Sequence, residues 1–167
     1  MKLSMKVTYP LLLSGLVLAS FGAQATGKYN GQDRGKPVMP SVVNAKVQSE
    51  CSGCHIAYPP GLLPAASWQK VMDGLDQHFG VDASLPAADR QSITDYLVKY
   101  ASNRWTANAA PLRITDGEWY KVKHIRSGKV TEAIVKRESV KSKSNCQACH
   151  SGAEKGQFDE RSVKIPK

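Results

Sequence analysis

Apolar side chains recur along this sequence at helical spacing, in short segments broken by glycine, proline and polar runs. Trp68, Val71, Met72, Leu75, His78 and Phe79 share one face of a helix predicted from about Ala65, just after Pro64, to His78, with Gly80 as its stop. Ile93, Tyr96, Leu97 and Tyr100 repeat the pattern in a helix expected to start near Pro86, which suits a first turn, and to end at about Ala101. Upstream, Ser41 is positioned to cap a helix running towards Cys51, with Val42, Val43, Ala45 and Val47 on its apolar side. Between these helices Tyr58-Pro59-Pro60-Gly61 must leave helical geometry, because proline fixes φ and has no N–H to donate. Residues 102–113 read as a connection. Thr115-Asp116-Gly117-Glu118 has the capping-box pattern, predicting a helix through Trp119 and His124 to Ile125. Residues 127–144 show no period, and a last short helix is expected at Cys146 to His150. No substantial stretch is β-rich. The fold class predicted is mainly α.

The first 40 residues follow a different logic. Lys2 and Lys6 precede an apolar run from Leu11 to Leu18, and Ala23-Gln24-Ala25 follows, the small-residue pattern that a signal peptidase reads. Residues 1–25 are therefore expected to be a signal peptide cleaved after Ala25, and the periplasm is the expected destination. Residues 26–40 are rich in glycine, proline and polar side chains and read as a flexible lead-in. The mature remainder is enough for one compact domain or two small ones.

Four cysteines in an exported chain would ordinarily suggest two disulfides. Their spacing argues otherwise. Cys51 and Cys54 are followed by His55, and Cys146 and Cys149 by His150, so all four cysteines are used by two C-x-x-C-H motifs. Each thiol of such a pair can add across a haem vinyl group, and the following histidine then lies under the ring with a nitrogen aimed at iron. A zinc site built from the four cysteines and the spare histidines is the alternative metal reading. A redox-active C-x-x-C would need a βαβ context that the pattern lacks. Two covalently bound haem c groups fit best, attached through Cys51, Cys54, Cys146 and Cys149.

The histidine count adds an independent argument. The chain has four histidines. His55 and His150 belong to the motifs, and His78 and His124 equal in number the axial positions still open on two haems. His78 extends the Trp68–Leu75 stripe, and His124 lies one helical turn beyond Tyr120. Proximity along the chain pairs His55 with His78 and His150 with His124, with crossed pairing the open alternative. Met72 is the one serious rival ligand, with core packing as its competing role. Methionine would raise the reduction potential relative to bis-histidine ligation. Trp68, Tyr96, Tyr100 and Trp119 have no evident common partner in the pattern, so the haems are expected to serve as core.

The run Glu50-Cys51-Ser52-Gly53-Cys54-His55-Ile56-Ala57-Tyr58-Pro59-Pro60-Gly61-Leu62-Leu63-Pro64, together with Ser67-Trp68, Gly74-Leu75 and His78-Phe79-Gly80, resembles the periplasmic dihaem cytochromes c called DHC. The resemblance resumes at Pro111-Leu112-Arg113-Ile114-Thr115, Trp119 and Ser144-Asn145-Cys146-Gln147-Ala148-Cys149-His150. It implies an N-terminal haem c domain over residues 41–110 like a small class I cytochrome c, and a largely irregular C-terminal haem c lobe over 111–167. It also implies bis-histidine ligation at both irons, by His55, His78, His124 and His150. The function implied is electron transfer, with an oxygen-binding monohaem cytochrome c as acceptor and a membrane b-type cytochrome as a candidate donor.

Charge narrows the partner. Residues 26–110 hold 8 basic and 7 acidic side chains, whereas 111–167 hold 13 and 7. The excess concentrates at Lys121, Lys123, Arg126, Lys129, Lys136, Arg137, Lys141 and Lys143. Nucleic acid is a poor partner for an exported chain without interleaved aromatics. An acidic redox protein is the expectation, with no small-molecule substrate and no catalytic residue. The rival classes are a haem enzyme, such as a peroxidase or nitrogen-oxide reductase, and a gas sensor. Either needs an open or displaceable axial position, and four histidines just fill both irons.

Overall fold

The computed structural model describes residues 44–102 and 110–167. The expected signal peptide, the lead-in, Ser41 with its neighbours Val42 and Val43, and residues 103–109 of the connection lie outside the described residues. Helix α1 spans Ala45–Cys51, and its cap is Asn44 rather than Ser41. Asn44 Oδ1 accepts from Lys46 N at 2.9 Å and Val47 N at 3.3 Å, which satisfies two amides with no partner inside the helix. A 3₁₀ turn, Pro60–Leu62, follows the double proline.

Helix α2 spans Ala65–Asp73 and stops at Gly74, six residues before the expected Gly80. A separate 3₁₀ turn, Leu75–Gln77, then delivers His78. The predicted stripe thus splits. Trp68, Met72 and Leu75 are buried, while Phe79 is 45% exposed. Helix α3, Ala87–Lys99, follows Pro86 as expected and buries Ile93 and Leu97. These residues, with Val47, Ala57 and Leu63, form one connected core. Trp68 therefore has its partners in the protein itself, and the expectation that it lacked them fails. Tyr96 and Tyr100 pair with each other, ring centres 5.1 Å apart.

Trp68 also carries a polar tie. Its indole N–H donates to Pro60 O at 2.7 Å in a buried setting, which joins α2 to the 3₁₀ turn behind the first haem motif. Replacing Trp68 with Phe should leave that carbonyl only the longer bond from Leu63 N, at 3.4 Å. The expected loss is about 0.5–1.5 kcal/mol, read as a lower Tm of the haem-loaded protein. An unchanged Tm would show that the bond contributes nothing net.

The C-terminal segment is built differently. After a 3₁₀ turn at Ile114–Asp116, helix α4, Glu118–Tyr120, runs directly into a π-helical turn at Lys121–Arg126. The helical stretch to Ile125 is present, but the capping box is not. Thr115 lies inside the 3₁₀ turn and the cap falls on Gly117, which has no side chain to bond the free amides. Helix α5, Glu132–Val135, is capped by Thr131 in a region without sequence period. Further 3₁₀ turns occupy Cys146–Ala148, Ala153–Lys155 and Glu160–Ser162. The buried apolar side chains here, Tyr120, Val140 and Ala153, form no connected core. Among the described residues there is no strand, only isolated bridges at His78–Val81 and Gly152–Gln157. No described helix is long and apolar enough to cross a membrane.

Candidate haem sites

The first site is assembled from three elements. Helix α1 ends on Cys51, half-buried against the core, and the turn after it carries Cys54 and His55. His55 Nδ1 lies 2.7 Å from Ile56 O. A carbonyl only accepts, so Nδ1 carries the proton and Nε2 is the free base. Tyr58 stacks on the imidazole, ring centres 4.8 Å apart at 27°. His78 enters from the turn beyond α2, its ring centre 6.2 Å from that of His55. The chain reverses sharply behind it. Val81 N donates to His78 O at 3.1 Å, Phe79 takes φ 51° and Gly80 φ 96°, the latter a conformation natural only to glycine. The Arg113 guanidinium covers the Phe79 ring at 3.9 Å, so the C-terminal segment braces this turn.

The second site has the same logic with different parts. Cys146 opens a 3₁₀ turn whose end is Cys149, and His150 N donates to Cys146 O at 2.8 Å. The π-helical turn presents His124, whose Nδ1 lies 3.1 Å from Tyr120 O, again leaving Nε2 as the free base. Such wide turns within helices recur at functional positions. Tyr120 stacks on His124 at 4.2 Å and 14°, and Phe158 meets His150 edge-on at 5.2 Å. His124 and His150 ring centres stand 6.1 Å apart. His150 Nδ1 is buried and has no hydrogen-bond partner among the described residues.

These distances test whether a haem iron fits. Two imidazoles sharing one metal, each bonded at about 2.0 Å with roughly 1.1 Å from nitrogen to ring centre, put their centres about 6.2 Å apart. Both pairs match. The rings brought together are His55 with His78 and His124 with His150. Burial lowers the pKa of His78, His124 and His150, with His55 and Arg113 adding to the effect at His78. Each is thereby held as the neutral imidazole that a metal requires. Burial, more than any neighbour, raises the Cys51 thiol and pushes Cys146 up to about 11. Met72 is 3% exposed within the core. Among the described residues no group of three His, Cys, Asp or Glu side chains is disposed to hold a bare metal ion.

Tyr58, Tyr120, Phe158 and Arg113 were not identified as site residues from the sequence. For Tyr120 a signal existed in its i, i+4 spacing to His124. Tyr58 and Arg113 gave none, because their contacts depend on turns and on the meeting of distant segments. The basic stretch is also more tied down than its composition suggested. Lys123 and Lys129 both pair with Glu160, Arg126 with Glu118, and Lys143 with Glu132.

Residues 47–158 match the family described as dihaem cytochrome c, DHC. The chain is similar in structure to a diheme cytochrome c from Rhodobacter sphaeroides, at 42% identity and a TM-score of 0.64 over 70% of this chain and 98% of that one. A second structure of DHC purified from Rhodobacter sphaeroides gives 45% identity and a TM-score of 0.61 over the same shares. A diheme cytochrome c from Shewanella baltica gives 37% and 0.64, over 74% of this chain and 93% of that one. No curated protein matches the sequence. The two attachment motifs, the paired imidazoles and these likenesses converge: this chain belongs to the dihaem cytochrome c family, a group of electron-transfer cytochromes, and carries two covalently bound haem c groups.

Proposed function

We propose that the protein is an exported, periplasmic electron carrier, not an enzyme, with both irons held by two histidines. His55 and His78 serve the haem attached through Cys51 and Cys54. His150 and His124 serve the one attached through Cys146 and Cys149. Each bound haem supplies one-electron redox chemistry. What the chain supplies is rigid ligation on both faces. The observation that carries the reading is the spacing of the two imidazole pairs, 6.2 and 6.1 Å. Such ligation favours low potential relative to methionine and leaves no axial position for substrate. The two haem units divide at about residue 110, in keeping with a core whose buried members all lie in the N-terminal part. Absorption and EPR spectra of the purified protein test this directly. Two low-spin haems that do not bind carbon monoxide when reduced are expected, and ready carbon monoxide binding would favour a sensor or an enzyme.

The partner we propose is an acidic monohaem cytochrome c as acceptor, with a membrane b-type cytochrome as donor. Support comes from the positive excess around His124. Pairing to Glu160, Glu118 and Glu132 fixes individual side chains but does not cancel the net field, and it is the field that steers encounter. Electrons then leave through the C-terminal haem. Reoxidation by such a partner should slow as salt brings the Debye length below about 10 Å. Reversing Lys121 and Lys136 to Glu should slow it further at low salt while leaving the Lys123–Glu160 pair intact. Rates indifferent to both changes would reduce the basic stretch to a solubility feature.

A further inference from the structure

We propose that Tyr58 couples the two haem sites, its ring bearing on His55 of the first and its hydroxyl on the peptide that holds Cys146 of the second. Electron exchange between the haems then depends on this one phenol. The inference rests on the ligand assignment proposed above. It starts from an unbroken series of contacts. The Tyr58 ring stacks on His55 at 4.8 Å. Its hydroxyl donates to Ser144 O at 2.9 Å, across 86 positions of sequence. The same carbonyl lies 3.5 Å from Cys146 Sγ, which attaches the second haem. Imidazole, phenol, peptide carbonyl and sulfur thus follow one another without a gap wider than packed contact.

Tyr120 provides an internal comparison. It stacks on His124 at 4.2 Å and donates its hydroxyl to Lys143 O at 3.2 Å. Two successive carbonyls, Lys143 and Ser144, therefore each accept from a tyrosine that is stacked on a histidine of a different pair. The peptide before Cys146 is pinned between the two sites. Tyr120, however, connects the second site only to itself, and only Tyr58 of the two crosses from the N-terminal segment. Tyr58 bridges as a hydrogen-bond donor, its O–H on Ser144 O. In the exchange one electron leaves the iron of one site, which is oxidised, and reduces the iron of the other. Tyr58 gains and loses neither electron nor proton. Its role is that of a positioning residue.

The test uses half-reduced, haem-loaded protein and the conservative variant Tyr58→Phe, which keeps the ring on His55 and removes only the bond to Ser144. Inter-haem exchange should slow several-fold, both haems should stay low spin, and the NMR resonances of the C-terminal haem should shift although the change lies in the N-terminal segment. Tyr120→Phe should slow exchange less. An unchanged exchange rate in Tyr58→Phe overturns the proposal, as does a high-spin N-terminal haem, which would assign the hydroxyl to its own ligand. In the unmodified, fully reduced protein the Tyr58 hydroxyl proton should exchange slowly with solvent, and rapid exchange would refute the bond without any variant. High-spin haem in the unmodified protein would instead sink the ligand assignment, so the two failures are distinguishable.

Discussion

Replacing His78 with Ala should convert the N-terminal haem, and no other, from low to high spin. His78 and His55 ring centres are 6.2 Å apart, and the remaining histidines face each other at 6.1 Å in the second site. No spare imidazole is available to take the vacated position. Met72 is the thioether nearest in sequence, but it packs among Val47, Trp68, Ile93 and Leu97 at 3% exposure, and withdrawing it would open a cavity at a cost of about 2–5 kcal/mol. Because α2 already ends at Asp73 and His78 follows a separate turn, the helix itself should survive the change. The expected spectrum keeps one low-spin and one high-spin haem, with carbon monoxide binding at one site per protein. A change of spin state at the C-terminal haem instead would mean that the histidines are paired the other way.

Proximity along the chain favoured that juxtaposition of rings, with the crossed arrangement left open, and the attachment motifs and core helices around it were legible too. The C-x-x-C-H spacing is a local signal whose chemistry does not depend on the rest of the fold. The stripe of Trp68, Met72 and Leu75 and that of Ile93 and Leu97 gave the core helices for the same reason. Boundaries were less legible. A helix ends where the first competing turn closes, so Gly74 ended α2 although the apolar spacing continued to Phe79. The Thr115–Glu118 pattern was a sound cap motif that an earlier 3₁₀ turn displaced. Contacts between distant segments left no periodic trace at all. Tyr58 reaches Ser144, Arg113 reaches Phe79 and Glu160 pairs with two lysines some thirty positions away. Each partner on its own reads as an ordinary surface residue.

Without haem attachment, the chain should lose its cooperative fold, and the C-terminal segment should lose it first. The asymmetry follows from where apolar surface is buried. Val47, Ala57, Leu63, Trp68, Met72, Leu75, Ile93 and Leu97 form a connected core, all from the N-terminal segment. The C-terminal segment buries Tyr120, Val140 and Ala153, and its helices are short, Glu118–Tyr120 continuing only to Arg126 and Glu132–Val135 having 4 residues. Helices so short do not persist in water without tertiary contacts, and scattered buried side chains do not offset the entropy of ordering the chain. Tyr120 packs on His124 and Phe158 on His150, around the two imidazoles that would hold the haem, so the bound group supplies the core that this segment otherwise lacks. The N-terminal core is itself small, and its longest helix has 13 residues, near the limit at which isolated helices become marginal. Protein with all four cysteines changed to alanine should therefore show residual helix by circular dichroism, a broad thermal transition, and rapid amide exchange throughout residues 110–167. Partial amide protection should survive only in α2 and α3. A single sharp unfolding transition in that haem-free chain would show that the polypeptide folds on its own contacts and that the haems are guests in a finished structure.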